Sequence, residues 1–272
     1  HCERGDEYIV GQTAHTYKYE GGGAAVLGSI QPQPLPFQED GTIDLSEAGH
    51  AVKPVDFHFA RTRLFCLENT QAGKPLPMDY MEQAEAFAQS RGLKIHLDGA
   101  RIFNAAVRLG VDVRKISRIF DTVSVCLSKG LGAPMGSLLC GSSKTIEKAR
   151  RWRKVLGGGM RQAGIPAAAG LYALEKNIDR LVRDHDRAAA LAKGLDAVPG
   201  VECIRSSLPT NMVFLHISEN HMDPLVDFLA NRGIIIRRDR PVRLVVHLDI
   251  DDADIERTVS AFREYFTRKQ SQ

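Results

Sequence analysis

The sequence contains no apolar run of the roughly 18 residues that a membrane-spanning helix needs, so we expect no transmembrane segment. It also lacks any CxxC pair, which argues against a zinc ribbon or a thiol–disulfide motif. The five cysteines are scattered along the chain, at Cys2, Cys66, Cys126, Cys140 and Cys203. An odd number of cysteines, several of them inside apolar runs, favours reduced thiols and a cytoplasmic protein.

A strong excess of one charge is also missing, since 36 Lys and Arg residues face 33 Asp and Glu residues and the net charge is +3. This balance gives no reason to expect a nucleic-acid partner. The basic run KARRWRK at 148–154 contains the only tryptophan but is accompanied by no second basic stripe, so we interpret it as a solvated helical face. The remaining composition, 43% hydrophobic and 25% charged, is typical of a globular chain with one large domain or two unequal ones.

Short apolar runs alternate with helix-like segments over the first two thirds of the chain. Strands are predicted at 8–11, 63–67, 93–97, 122–127 and 136–141. Between them, the segments at 77–92 and 98–110 are typical of helices, and Gly92 and Gly110 are expected to end them. Strand and helix in alternation predict an α/β fold with a mostly parallel sheet covered by helices.

The pattern changes after the glycine-rich VLGGGMRQAGI at 155–165. A long helical stretch covers 166–198, either straight or bent between its halves, and strands are predicted at 210–217, 234–238 and 242–248. Helices are predicted at 223–233, with Asp223-Pro224 as the start, and at 251–269. We therefore divide the chain into a large domain at 1–175 and a small C-terminal α+β domain at 176–272.

Polar residues follow three of the predicted strands directly, at Glu68-Asn69-Thr70, Asp98-Gly99-Ala100-Arg101 and Ser128-Lys129-Gly130. In a parallel sheet these strand ends converge at one edge, where α/β proteins bind ligands. Lysine is costly to bury, so one that follows a buried strand is either solvated or chemically active. A carboxylate, an arginine and a lysine together suit pyridoxal phosphate, which needs a lysine for its aldehyde and an acid for its ring nitrogen.

The sequence resembles the low-specificity L-threonine aldolases, which are fold-type I pyridoxal-phosphate enzymes. The resemblance rests on LDGAR at 97–101 and CLSKGLG at 126–132 and extends over nearly the whole chain. Its six blocks are AHTYKYEGGGAAVLGSIQPQP, FHFARTRLFCLENT, HLDGARIFNA, SKGLGAPMGSLL, RWRKVLGGGMRQAG and VRLVVHLDI. Six blocks in the right order are far more specific than a single motif.

The resemblance implies a cofactor site built from four residues of this chain. Lys129 matches the lysine that binds pyridoxal phosphate covalently, and Asp98 matches the acid that faces the pyridine nitrogen. An ionised carboxylate keeps that nitrogen protonated and the ring an electron sink. His15 matches the histidine stacked on the ring, and Arg101 matches an arginine beside the cofactor.

The remaining roles concern the substrate. Arg101 and Arg243 match the arginines that bind its carboxylate, for which a planar guanidinium is well suited. His58 matches a histidine near the substrate hydroxyl, and either histidine or a bound water could remove the hydroxyl proton. Lys154 and Arg161 match basic residues that line the site and help to neutralise the cofactor phosphate. We assign no metal ligands.

The activity implied is retro-aldol cleavage of L-threonine, L-allo-threonine and related β-hydroxy-α-amino acids to glycine and an aldehyde. The family also implies a cytoplasmic homotetramer with active sites at subunit interfaces. In the family the loop that holds the phosphate precedes the HCERGDEYIVG block, so we expect the full protein to carry that segment before His1. The alternatives are β-elimination or transamination on the same scaffold, or a non-catalytic protein of this fold.

Overall fold

A six-stranded sheet forms the centre of the molecule. The computed structural model describes residues 1–204 and 209–270. The strands are β1 (Asp6–Gly11), β2 (Gln31–Leu35), β3 (Arg61–Glu68), β4 (Lys94–Asp98), β5 (Thr122–Cys126) and β6 (Ser137–Gly141). Their order is β2-β1-β3-β4-β5-β6, and every neighbouring pair is parallel except β5 and β6, which are antiparallel. The mostly parallel α/β sheet predicted from the sequence is therefore confirmed.

The register of the sheet brings three strand ends to one edge. Glu68 pairs with Asp98, and Asp98 pairs with Ser124. One face of these strands packs into the main core, through residues such as Phe65, Leu67 and Leu97. Strand propensity and burial on this face explain why the runs are so apolar.

Helices connect the strands. They are α1 (His15–Lys18), α2 (Gly23–Gly28), α3 (Leu45–Ala51), α4 (Met78–Ser90), α5 (Ile102–Leu109), α6 (Val113–Ser117), α7 (Ser143–Val155) and α8 (Gly164–Lys176). Helix α5 ends at Gly110, which adopts the left-handed conformation at φ 66°, as its position in the sequence predicts. Strand β2 was not predicted, because its sequence QPQPL contains two prolines; it lies at the edge of the sheet, where proline is tolerated.

A second, three-stranded antiparallel sheet follows, in the order β7-β8-β9. Its strands are β7 (Val201–Cys203), β8 (Met212–Ile217) and β9 (Val242–Val245), and its helices are α9 (Leu181–Asp196), α10 (Glu219–Ala230) and α11 (Asp252–Gln270). These elements share a hydrophobic core of their own that includes Leu195, Leu215 and Phe262. The division of the chain at 175 and 176 stays a prediction.

Two local predictions in this part were wrong. Residues 234–238 form no strand, because Ile235 is 90% exposed and only Ile234 is buried there. Helix α10 begins at Glu219 and not at Asp223, so Pro224 lies inside it. The helical stretch at 166–198 is divided near its middle into α8 and α9. No helix in the described ranges is long and apolar enough to cross a membrane.

Candidate active site

The carboxyl edge of the large sheet carries the candidate site. Glu68, Asp98 and Cys126 are the last residues of β3, β4 and β5. Neighbouring strands lie about 4.8 Å apart, so these ends form one continuous polar edge. Lys129 follows β5 by three residues and is half-buried. The structure therefore brings Asp98, the last residue of β4, and Lys129, in the segment after the adjacent β5, to the same edge.

The turn that follows Asp98 requires glycine, because its backbone lies very close to β5. The Asp98 Oδ1 atom accepts a hydrogen bond of 3.1 Å from the Ala100 amide. A Cβ atom on Gly99 would lie 2.8 Å from the carbonyl oxygen of Ser124 and 2.8 Å from Val123 Cγ1. This close approach to β5 explains the glycine after Asp98, and it places Arg101 directly at the start of α5.

The segment that carries Lys129 is held by groups from α8 and α9. The Asn177 side chain donates a hydrogen bond of 2.7 Å to the carbonyl of Leu131, and Arg180 donates one of 3.3 Å to that of Gly130. Arg180 is itself paired with the fully buried Asp184. Sequence reasoning missed these anchoring residues, because a polar residue in a helical stretch gives no sign of the loop that it contacts.

The two arginines assigned to a carboxylate influence each other. Burial lowers the pKa of Arg101, and the positive charge of Arg243 lowers it further. Arg243 lies on β9 between the buried residues Val242 and Leu244 and is itself exposed. The buried Nε atom of Arg101 has no hydrogen-bond partner. Two guanidinium groups close enough for the charge of Arg243 to lower the pKa of Arg101, one of them with an unused donor, suit an anionic ligand.

His15 lies at the same edge, on the helix that follows β1. Its backbone amide donates a hydrogen bond of 2.7 Å to Glu68 Oε2, so the end of β3 holds the start of α1. Burial raises the pKa of Glu68, while this hydrogen bond opposes the shift. The His15 Nδ1 atom lies 2.7 Å from Glu20 Oε1. The role of Glu68 in positioning His15 could not be predicted from the sequence, since the two residues are 53 positions apart.

His58 lies at the opposite, amino edge of the sheet. It precedes β3, whose first and last residues, Arg61 and Glu68, are separated by seven steps or about 23 Å. The loop around His58 borders a concave surface together with Gly5, at the start of β1. His58 therefore cannot reach Lys129 of its own chain.

Lys154 and Arg161 are exposed, in the last turn of α7 and in the segment after it. None of the described hydrogen bonds or ion pairs connects them to Asp98 or Lys129. Their assignment to the site stays a prediction.

The residues at the carboxyl edge fit pyridoxal phosphate. Asp98 offers a carboxylate for a ring nitrogen, Lys129 an amine for an aldehyde, and His15 an imidazole plane for the ring. The unpartnered Nε of Arg101 is a buried donor that an anion would satisfy. The site can thus combine covalent attachment, ring protonation and anion binding.

The chain is similar in sequence to known proteins. Residues 1–218 match the protein family described as beta-eliminating lyase. Over 268 residues the chain is 48% identical to the low specificity L-threonine aldolase of Escherichia coli (strain K12), covering 98% of this chain and 80% of that protein. It is 42% identical over 277 residues to the probable low-specificity L-threonine aldolase 2 of Arabidopsis thaliana, covering 98% and 78%.

The fold is also found in a solved structure. The structure of Leishmania major threonine aldolase superposes with a TM-score of 0.79 at 20% identity, covering 96% of this chain and 78% of that one. At this identity the likeness shows the fold alone.

Proposed function

This chain belongs to the beta-eliminating lyase family and, within it, to the low specificity L-threonine aldolases, and from this membership we infer that it is a pyridoxal-phosphate-dependent aldehyde-lyase. Its reaction is the cleavage of L-threonine, L-allo-threonine and related β-hydroxy-α-amino acids to glycine and an aldehyde. The observation that carries the proposal is that Asp98 ends β4 and Lys129 follows the end of β5, the parallel strand next to it.

The residues of the carboxyl edge divide the work of holding cofactor and substrate. Lys129 would hold the cofactor covalently, Asp98 would keep its ring nitrogen protonated, and His15 would cover the ring. Bound pyridoxal phosphate supplies an electron sink for the pair released when the Cα–Cβ bond breaks. Lys154 and Arg161 add positive charge for the phosphate.

Arg101 and Arg243 bind the substrate carboxylate. Arg101 lies at the start of α5, after β4 of the large sheet, and Arg243 lies on β9 of the small sheet, so binding one carboxylate with both would fix the amino acid between the two parts of the chain. When the carboxylate is fixed, the Cα–Cβ bond is held in one orientation. Cleavage requires that this bond be correctly oriented.

Cleavage also removes the proton of the β-hydroxyl group, and we assign this step to His58. His15 and His58 are both exposed, and each has its Nδ1 atom 2.7 Å from a carboxylate, Glu20 for His15 and Asp56 for His58. Because His15 is assigned to the face of the cofactor ring, His58 is left for the hydroxyl proton. Because His58 lies at the opposite edge of its own sheet, it acts in the site of a second copy of the chain.

This assignment requires an assembly with shared sites, and we propose a homotetramer. Support comes from apolar side chains that are exposed in the single chain. They lie in the loop of His58 and around β6, α7 and α8, at Val55, Phe57, Phe59, Leu138, Leu139, Val155, Leu156, Ile165 and Tyr172. Large apolar side chains that are exposed together mark surfaces that other chains cover. The free cysteines support a cytoplasmic, reducing location.

The experiment is an assay of the purified protein with pyridoxal phosphate. We expect acetaldehyde and glycine from L-threonine, with no pyruvate from L-serine or L-cysteine. Pyruvate from serine without acetaldehyde from threonine would instead establish β-elimination, which the family description makes the second candidate. A preparation that remains colourless after cofactor addition would contradict both activities and favour a non-catalytic role.

A further inference from the structure

A carboxylate is bound to His58 within the same loop. Asp56 Oδ1 accepts a hydrogen bond of 2.9 Å from the His58 backbone amide and lies 2.7 Å from His58 Nδ1. The backbone hydrogen bond and then the side-chain one lower the pKa of Asp56 and favour its ionised form. An ionised carboxylate can only accept, so Nδ1 carries the proton in this contact and Nε2 of the neutral ring is left with its lone pair.

Buried acids hold both ends of the loop. At one end Lys53 Nζ lies 3.2 Å from Glu7 Oε1, and at the other Arg61 Nη2 lies 2.9 Å from Asp6 Oδ1. Glu7 is 0% exposed and Asp6 1%. Glu7 also accepts a hydrogen bond of 3.0 Å from Thr62. Leaving a buried acid without its cation is costly, so residues 54–60 are held between two fixed points, Lys53 after α3 and Arg61 at the start of β3.

The loop between these points carries its apolar groups outward. Phe57 is 91% exposed, and its ring centroid lies 4.0 Å from that of His58. An exposed ion pair contributes little to stability. The same hydrogen bonds become stronger when a neighbouring chain excludes water from them. The Asp56–His58 contact is therefore formed in advance on a surface that is suited to insertion into another copy.

We propose that Asp56 is a positioning residue that fixes His58 as the Nδ1–H tautomer, so that Nε2 accepts the β-hydroxyl proton of the substrate in a second copy's site. The inference deepens the proposed function and rests on it. As Nε2 takes the proton, the O–H electron pair forms the aldehyde C=O bond and the Cα–Cβ pair remains on the Cα side. The proton that Cα later gains balances the one lost, so no outside oxidant or reductant is needed.

The test is a double-mutant cycle on the holoenzyme with L-threonine as substrate. We expect His58→Asn to lower kcat by about 10²- to 10⁴-fold, the usual contribution of a general base. Asp56→Ala should lower kcat by roughly 10-fold or more with little change in KM, because the base is still present but free to adopt the other tautomer. The double variant should be no slower than His58→Asn alone, since Asp56 acts only through His58.

A second measurement does not depend on turnover. In protein labelled with ¹⁵N-histidine, the His58 signals, identified by their loss in His58→Asn, should report a protonated Nδ1 in the unchanged protein and a mixture of tautomers in Asp56→Ala. Asp56→Asn should be intermediate in kcat, because its amide oxygen can still accept the Nδ1 hydrogen bond but carries no charge.

The matched control is Asp112→Ala, since Asp112 makes the same local contact, accepting from the amide two residues later at 2.8 Å, without a histidine. It should leave kcat and the histidine signals unchanged. A full kcat in His58→Asn would overturn the function proposed for His58 and this inference with it. A slow His58→Asn combined with a normal Asp56→Ala, or losses that add in the double variant, would overturn the inference alone.

Discussion

At the scale of single residues, the chemistry depends on the burial and the neighbouring charges that each side chain has at a strand end. Lys129 is half-buried beyond β5, and its loop is closed by the hydrogen bond of 2.9 Å from the Leu127 amide to the Gly136 carbonyl. Close by, burial opposes ionisation of the Cys126 thiol, but hydrogen bonds from Ser128 and the charge of Lys129 outweigh it and lower the pKa. Lys129 thus lies on a hydrogen-bonded segment at the sheet edge, where a ligand would bind.

Lys129→Ala should abolish the absorbance near the visible edge that the lysine–cofactor bond gives after pyridoxal phosphate is added. Activity with L-threonine should be lost as well, because the variant lacks the amine assigned to the covalent bond. The measurement is an absorption spectrum of the purified variant. Lys144→Ala, on the exposed start of α7, is the control and should keep both the band and the activity. A variant at Lys129 with the band and full activity would refute the assignment.

At the scale of elements, helices α5 and α9 are joined by a buried polar pair. The Asn104 side chain lies 3.2 Å from His185 Nε2, and both residues are buried. Burial, and then the nearby charge of Arg108, lower the pKa of His185 from 6.5 to about 4. Helix α9 also carries Asp184, the partner of Arg180, and Arg180 donates to the loop of Lys129. The packing of α5 against α9 therefore helps to hold that loop in place.

The pKa of His185 predicts a pH dependence of stability. The folded state binds a proton at His185 more weakly than the unfolded chain, so the stabilisation is fully present above pH 6.5 and is lost as the pH falls from 6.5 towards 4. His185→Gln does not titrate but can still accept from Asn104. We expect its melting temperature to fall less than that of the unchanged protein between these pH values.

Thermal unfolding at several pH values measures this difference. His50→Gln, on an exposed position of α3, is the control and should follow the unchanged protein throughout. Parallel melting curves for His185→Gln and the unchanged protein would show that His185 is not held neutral by burial.

At the scale of the whole molecule, the single chain has its proposed functional groups on two opposite edges of one sheet. Lys129 and Asp98 lie at the carboxyl edge, and His58 lies at the amino edge. A parallel sheet separates its two edges by the length of a strand, so one chain cannot bring them together. A closed assembly of identical chains can, since each copy offers both edges.

Mixing two inactive variants tests this arrangement. Co-expressed Lys129→Ala and His58→Asn chains should regain activity, because a site with an intact Lys129 can receive His58 from the other variant. Random pairing would restore about a quarter of the sites. Lys129→Ala mixed with Asp98→Asn is the control and should regain none, since both residues belong to one chain's edge. Activity no higher than the sum of the two parents would show that His58 does not act across chains.

The sequence by itself determined the α/β class and the residues of the carboxyl edge. Asp98, Arg101 and Lys129 were identifiable because each lies in a polar segment that follows a predicted strand, and strand ends are set by local patterns of apolar and polar residues. Gly110 was identified for the same reason, since a helix end depends on the conformation of one residue. The family blocks added the roles of His15 and Arg243.

Only the tertiary structure decided which of these residues share an edge and what holds them there. It placed His58 a strand length away from Lys129, and it showed that Asn177 and Arg180 anchor the lysine loop. The structure also has irregular chain at 234–238, where a strand was predicted from the sequence. These features depend on sheet order and on contacts between residues far apart in sequence, whereas a local pattern constrains only its neighbours.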